Sequence, residues 1–151
     1  MLTEIIKAET PNAISHAVDV LKHGGLVAFP TDTVYGLAAM PFNEEDVEGL
    51  FSAKGRSNTR AIAILIGDYQ DLDRVVDHFD ETSRHLATCF WPGPLTLVVS
   101  KLESLPVALS PDGTIGVRMP DHPVALALLR AIGPLAVTSA NISLNTSTSS
   151  F

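Results

Sequence analysis

Leu26-Val27-Ala28-Phe29-Pro30-Thr31-Asp32-Thr33-Val34-Tyr35-Gly36 holds two opposite characters in eleven residues. Leu26 to Phe29 is an apolar run of buried-strand length, and Pro30, with no N–H to give a ladder, halts it. Hydroxyls, a carboxylate and a closing glycine follow. They can position a small polar substrate, with Gly36 allowing close backbone approach. They are equally the composition of a Pro/Asp/Thr turn between strands, and the segment alone does not choose.

Outward from this stretch, helices and strand runs alternate. Upstream, Thr10 and Pro11 read as an N-cap and first helical residue. Ile14, Ala17, Val18 and Leu21 keep helical spacing until Gly24. Downstream, Asn43 caps an acidic first turn (Glu44, Glu45, Asp46), and Val47, Leu50 and Phe51 form a buried stripe. AIAILI (61–66) is a second buried strand, and a helix runs from about Asp80 to Phe90. LTLVVS (95–100) and TIGVRM (114–119) are strand-like. Pro123 opens a helix with Ala125, Leu128, Leu129 and Ile132 inward and Gly133 behind it. LAVT (135–138) is the last strand. This alternation defines an α/β layer fold around one twisted sheet.

The 151 residues suit a single domain over 1–151. Apolar residues make up 46% and charged residues 18%, enough to bury a core. No window has the ~18 uncharged apolar residues of a membrane span. The N-terminal MLTEIIKAET lacks a secretion pattern, so no membrane association and a cytoplasmic location are expected. Cys89 is the one cysteine, which excludes a disulfide within the chain. P-loop, dinucleotide and G-x-S-x-G signatures are absent. His16, His23, His78, His85 and His122 have no ligand spacing, so no metal site is expected. The net charge of −7 disfavours non-specific attachment to nucleic acid.

Against that acidity, Lys54, Arg56 and Arg60 lie within seven positions, with no acid between Glu48 and Asp68. Such a segment serves either an anionic ligand or as a solvated loop. Lys54 continues the buried stripe of its helix. It therefore snorkels to the rim, complements the helix's last carbonyls, or points its ammonium into a cleft. Thr138-Ser139-Ala140-Asn141, after LAVT, is either a hydrogen-bonding cradle for phosphate or ribose, or a helix cap. Arg118 sits inside an apolar strand and requires a carboxylate, from the protein or from a ligand.

GGLVAFPTDTVYGLAA, Lys54-Gly55-Arg56, FWPGPLTLVV, TIGVRMPDHP and VTSANIS occur in the order and spacing of the YrdC-like family, which this chain resembles from about residue 10 to residue 143. That family contains the threonylcarbamoyl-AMP synthases of transfer-RNA modification. The resemblance implies a single α/β domain, a twisted mixed β-sheet flanked by helices. It also implies a nucleotidyltransferase that combines L-threonine, bicarbonate and ATP into threonylcarbamoyl-AMP and pyrophosphate. Magnesium would accompany ATP, and a downstream threonylcarbamoyl-transferase would be the partner enzyme. Carried over by motif, Lys54 and Arg56 are the catalytic cations. Arg56, Arg60, Thr114, Ser139, Ala140, Asn141 and Thr148 would hold ATP. Thr33, Arg118 and Thr138 would hold threonine, with Arg118 on its carboxylate.

The chain departs from the family at Ser57, usually proline, and at Leu144, usually glycine. It also stops at Phe151, where the family continues. Three expectations follow: residues 144–151 form a flexible tail, the strand 135–138 becomes an exposed sheet edge, and the chain self-associates with weak ATP binding and little turnover. An RNA-binding module with weak tRNA affinity and an inactive shortened copy are the alternative readings. Two substitution effects are also expected: Lys54→Ala leaves the thermal midpoint nearly unchanged, and Arg118→Leu holds or raises stability.

Overall fold

A computed structural model of the chain describes residues 2–55 and 62–141. Among them, four α-helices and seven strands form one α/β unit. The elements are α1 (Ala13–Lys22), β1 (Val27–Phe29), β2 (Gly36–Ala39), α2 (Glu44–Lys54), β3 (Ala63–Leu65), β4 (Val76–His78), α3 (Glu81–Phe90), β5 (Leu97–Lys101), β6 (Thr114–Arg118), α4 (Pro123–Ile132) and β7 (Leu135–Ser139). The strand order is β1-β2-β7-β3-β6-β5-β4. Only β3 and β6 run parallel, so the sheet is mixed as expected.

Local chemistry explains the helix ends. Asp46 N–H donates to Asn43 Oδ1 at 2.8 Å, and Ser83 N–H donates to Asp80 Oδ1 at 2.7 Å, each satisfying an orphan donor of the first turn. Val124 N–H donates to His122 Nδ1 at 3.1 Å, with Pro123 as the first helical residue of α4. The first helix begins later than its sequence indicates. Thr10 and Pro11 lie in a turn where Ala13 N–H donates to the Thr10 carbonyl, so Asn12 becomes the N-cap.

Strand alternation separates two cores. Leu135 and Val137 of β7 join Phe29, Ala38 and Leu65 beneath α1 and α4, whose Val18, Leu21, Leu128 and Leu129 are buried there. Ala136 points the other way, with Ala39, Ile64, Ile115 and Val117, beneath Val47, Leu50 and Phe51 of α2. The α1/α4 core contains no residue of β5 or β6. On that side of the sheet Val98 and Ser100 are exposed, and Thr114, Gly116 and Arg118 of β6 are half-buried. The sheet is thus roofed over one half of this face and open over the other.

The expected edge at 135–138 is not an edge. β7 pairs with β2 through Gly36↔Ser139 to Ala39↔Ala136, and with β3 through Ala63↔Val137 to Leu65↔Leu135. The last strand in sequence is inserted between two earlier ones, so both its ladders are filled. The expected tail, 144–151, lies outside the described residues.

Candidate functional site

At the boundary between the roofed and open halves lies a cavity of about 260 Å³. Thr31, Thr33 and Val34 form one wall, Thr138 and Ser139 another, and Ala63, Leu65 and Val137 contribute to the sheet floor; Gly36, Thr96 and Arg118 complete the lining. Drug-sized ligands occupy roughly 300–1,000 Å³. This space suits something nearer the size of an amino acid. A larger hollow of about 400 Å³ lies at the β4 edge, lined among others by Asp73, Asp77, His78 and Arg84. None of the residues expected to bind substrate lines it.

Arg118 is held at three points. Its Nε donates to the Gly93 carbonyl at 2.9 Å and one terminal nitrogen to Thr33 Oγ1 at 3.1 Å, while the other pairs with the Asp32 carboxylate. The two charged side chains are 12% and 17% exposed, respectively. The carboxylate that this strand arginine requires is therefore supplied by the protein. Gly93 is constrained to be glycine: an added Cβ would lie 2.4 Å from the Phe90 carbonyl oxygen, which is backbone and cannot swing aside. That oxygen-crowded turn, just after the cis Trp91-Pro92 bond, aims the Gly93 carbonyl at the guanidinium. The Thr33 side is fixed as well. Thr33 N–H donates to Thr31 Oγ1 at 3.2 Å, and Thr31 Oγ1 donates to the Val34 carbonyl.

Lys54 is the last residue of α2, because Gly55 takes a left-handed conformation (φ 63°) that ends the helix. Lys54 is 3% exposed, and its ammonium reaches across to β7 instead of snorkelling to the rim. Lys54 Nζ donates to the Ser139 carbonyl at 2.7 Å, and to Ser139 Oγ and Asn141 Oδ1, both at 3.3 Å. Ser139 Oγ in turn donates to Asn141 Oδ1. Ala140 N–H donates to the Tyr35 carbonyl at 2.9 Å, tying the end of β7 to the hydroxyl-rich loop. Lys54, Ser139 and Asn141 thus form one hub, and Ser139 also lines the cavity.

Thr114 stands at the opposite end of β6 from Arg118, about 13 Å away at strand rise, and on the same face. Its hydroxyl donates to Asp112 Oδ1 at 2.7 Å. That bond, with those from Thr114 N–H and the Ser110 hydroxyl, holds the Asp112 carboxyl below the ordinary aspartate range. Thr114 does not line the cavity; it borders the open half of the sheet. Arg56, Arg60 and Thr148 lie outside the described residues. The sequence singled out neither Asp32 as the partner of Arg118, nor the aiming role of Gly93, nor Thr96. The charge cost of Arg118 signalled that a carboxylate was needed but not which one.

The chain is thus an α/β domain of mixed-sheet type, with a small cleft that holds a fixed arginine beside a buried lysine hub. A family model for Sua5/yciO/yrdC proteins, described as telomere recombination, matches residues 19–151, and the chain belongs to this family. Threonylcarbamoyl-AMP synthase of Bacillus subtilis is 40% identical over 148 residues, which are 94% of this chain and 42% of that protein. A Mycobacterium tuberculosis relative is 46% identical over 131 residues, 86% of this chain and 60% of that one. The chain thus spans about 60% or less of the length of these relatives. A crystal structure of Pyrococcus abyssi Sua5 complexed with L-threonine superposes with a TM-score of 0.87 at 40% identity, over 96% of this chain and 42% of that chain.

Proposed function

We propose that the chain carries the threonine- and ATP-handling site of a threonylcarbamoyl-AMP synthase. The observation that supports this most is the cleft that gathers Thr33, Arg118, Thr138 and Ser139 from three distant segments around a space of amino-acid size. A solved relative that is 40% identical was crystallised with L-threonine. In this reading the threonine carboxylate docks on Arg118, and the hydroxyls of Thr33 and Thr138 orient the amino acid. ATP lies over the open half of the sheet, between Thr114 and the Ser139–Ala140–Asn141 turn. Arg56, Arg60 and Thr148 would add further contacts to it.

The reaction joins the threonine amine to bicarbonate with loss of water. A carbamate oxygen then attacks the α-phosphorus of ATP, and pyrophosphate leaves. Anions must meet, so cations aimed at the transferring centre carry much of the catalysis. Arg56 would be one. Lys54 acts by fixing the Ser139–Asn141 turn and placing a buried positive charge beneath it. Among the described residues no three His, Cys, Asp or Glu side chains gather as metal ligands. A magnesium ion would accordingly enter on the phosphates of ATP. No helix among the described residues is long and apolar enough to cross a membrane. The product would pass in the cytoplasm to a transferase acting on transfer RNA.

Pyrophosphate release tests this proposal. The expected rate requires ATP, L-threonine and bicarbonate together. Release that ignores threonine would overturn it.

A further inference from the structure

Asp32 has so far served only as the partner of Arg118; its carboxylate sits on the guanidinium of that cleft-lining arginine, between the lining residues Thr31 and Thr33 in the chain. Its backbone is exposed while its side chain is 17% exposed, so the carboxylate is turned inward. Arg118 cannot rotate away without losing the Gly93 carbonyl and the Thr33 hydroxyl. Any ligand carboxylate reaching Arg118 therefore approaches an arginine that already holds one carboxylate. For a simple carboxylic acid this is an unfavourable meeting of like charges in a shielded place. An α-amino acid differs, because it brings an ammonium group next to its carboxylate. Its two charges can lie head-to-tail against the Asp32–Arg118 pair, so that every close neighbour is of opposite sign.

We propose that Asp32 is a specificity-determining residue of the amino-acid cleft: it accepts the α-ammonium and makes Arg118 a receptor for zwitterions and not for carboxylates in general. This rests on the threonine reading above and extends it to the amine. The ion pair serves as a ready-made complement to a zwitterion, self-satisfied when empty. It excludes hydroxy acids and keto acids, which match threonine in size and carboxylate but lack the ammonium.

The test compares two ligands by calorimetric titration: L-threonine, and 2,3-dihydroxybutanoate, in which a hydroxyl replaces the amine. The wild-type chain should bind threonine and reject the hydroxy acid. Asp32→Asn should bind threonine about 10- to 100-fold more weakly, the scale of losing one charged hydrogen bond. The same substitution should strengthen binding of the hydroxy acid, because the repelling charge has gone. These opposite signs are the signature that a purely structural Asp32 would not give. Equal changes for both ligands, or none, would overturn the proposal. If neither Asp32→Asn nor Asp32→Ser folds, the Asp32 side-chain carboxyl carbon in the ¹³C-labelled wild-type chain reports instead. Its resonance should move with threonine, and a resonance indifferent to saturating threonine would overturn the proposal. A wild-type chain that binds neither ligand would instead remove the threonine reading and this inference with it.

Discussion

Replacing Lys54 by methionine removes an ammonium while keeping an unbranched stem in its buried channel. The structure sets the cost. The 2.7 Å bond to the Ser139 carbonyl is a full charge-assisted hydrogen bond, worth about 1.5–3 kcal/mol. The two 3.3 Å contacts to Ser139 Oγ and Asn141 Oδ1 lie beyond the usual N···O range of about 2.7–3.2 Å and add little. Partly offsetting the loss, methionine relieves the desolvation of a buried ammonium. The Ser139 carbonyl also keeps the Asn141 N–H at 2.9 Å. The net expectation is destabilisation by about 1–2 kcal/mol on the hydrogen-bond scale. With a urea slope of about 2 kcal/mol per molar, the middle of the usual range for a small domain, the midpoint should fall by roughly 0.5–1 M. Trp91, the only tryptophan and 6% exposed, reports unfolding by fluorescence. This reverses the expectation from sequence that loss of the Lys54 ammonium leaves stability unchanged. Threonine-dependent turnover should fall at least ~100-fold, because the turn that borders the nucleotide loses its anchor and its charge. An unchanged or raised midpoint would refute the clamp.

Arg118→Leu should also destabilise, by about 2 kcal/mol, because it strands the shielded Asp32 carboxylate; adding Asp32→Asn should restore at least half of the loss in urea unfolding. Threonine binding, read by calorimetry, should be lost in either background. Gly93→Ala forces the 2.4 Å contact with the Phe90 carbonyl and moves the backbone oxygen that aims Arg118. It should weaken threonine binding at least tenfold even where the folded fraction is unchanged, and unaltered affinity would show that the turn does not aim the arginine. Asp112 and Asp80 are held below the ordinary aspartate value, chiefly by Thr114 and by the Ser83 N–H respectively, so the unfolded chain binds more protons than the native one. Their stabilisation is present above the ordinary aspartate pKa and lost as pH falls through the lowered one. Asp71 is raised by burial and works in the opposite sense, its cost relieved by acid. Urea midpoints between about pH 2 and pH 6 should fall on acidification, less steeply in Asp112→Asn and more steeply in Asp71→Asn.

Features set within a few residues were legible in the sequence. Asn43 caps α2 by bonding three residues ahead, as its residue type indicates, and α3 begins at the expected Asp80, whereas the Thr10–Pro11 pair, read as a cap, lies in a turn before α1. Two strands were invisible for opposite reasons. Gly36–Ala39 has no β-branched side chain, and its strand state comes from pairing with β1 and β7. Val76–His78 is too short to show a period. The misplaced edge has the same origin, since nothing local in Leu135–Ser139 reveals that β2 and β3, far earlier in the chain, leave a gap between them. In the site, the need of Arg118 for a carboxylate could be read from burial cost alone. That the partner is Asp32, 86 residues away, is a product of topology. Lys54 was placed correctly on the buried stripe, but its acceptors on β7 were not, because they depend on the same strand insertion.

The most direct test of the central claim follows the carbon of bicarbonate. The chain is incubated with ATP, magnesium, L-threonine and ¹³C-bicarbonate, and the nucleotide products are resolved by mass spectrometry. The account predicts a threonine-containing adenylate carrying the ¹³C label, absent when threonine is withheld and sharply reduced in Arg118→Leu. A threonine adenylate without the label, or no threonine-dependent nucleotide product, would contradict it.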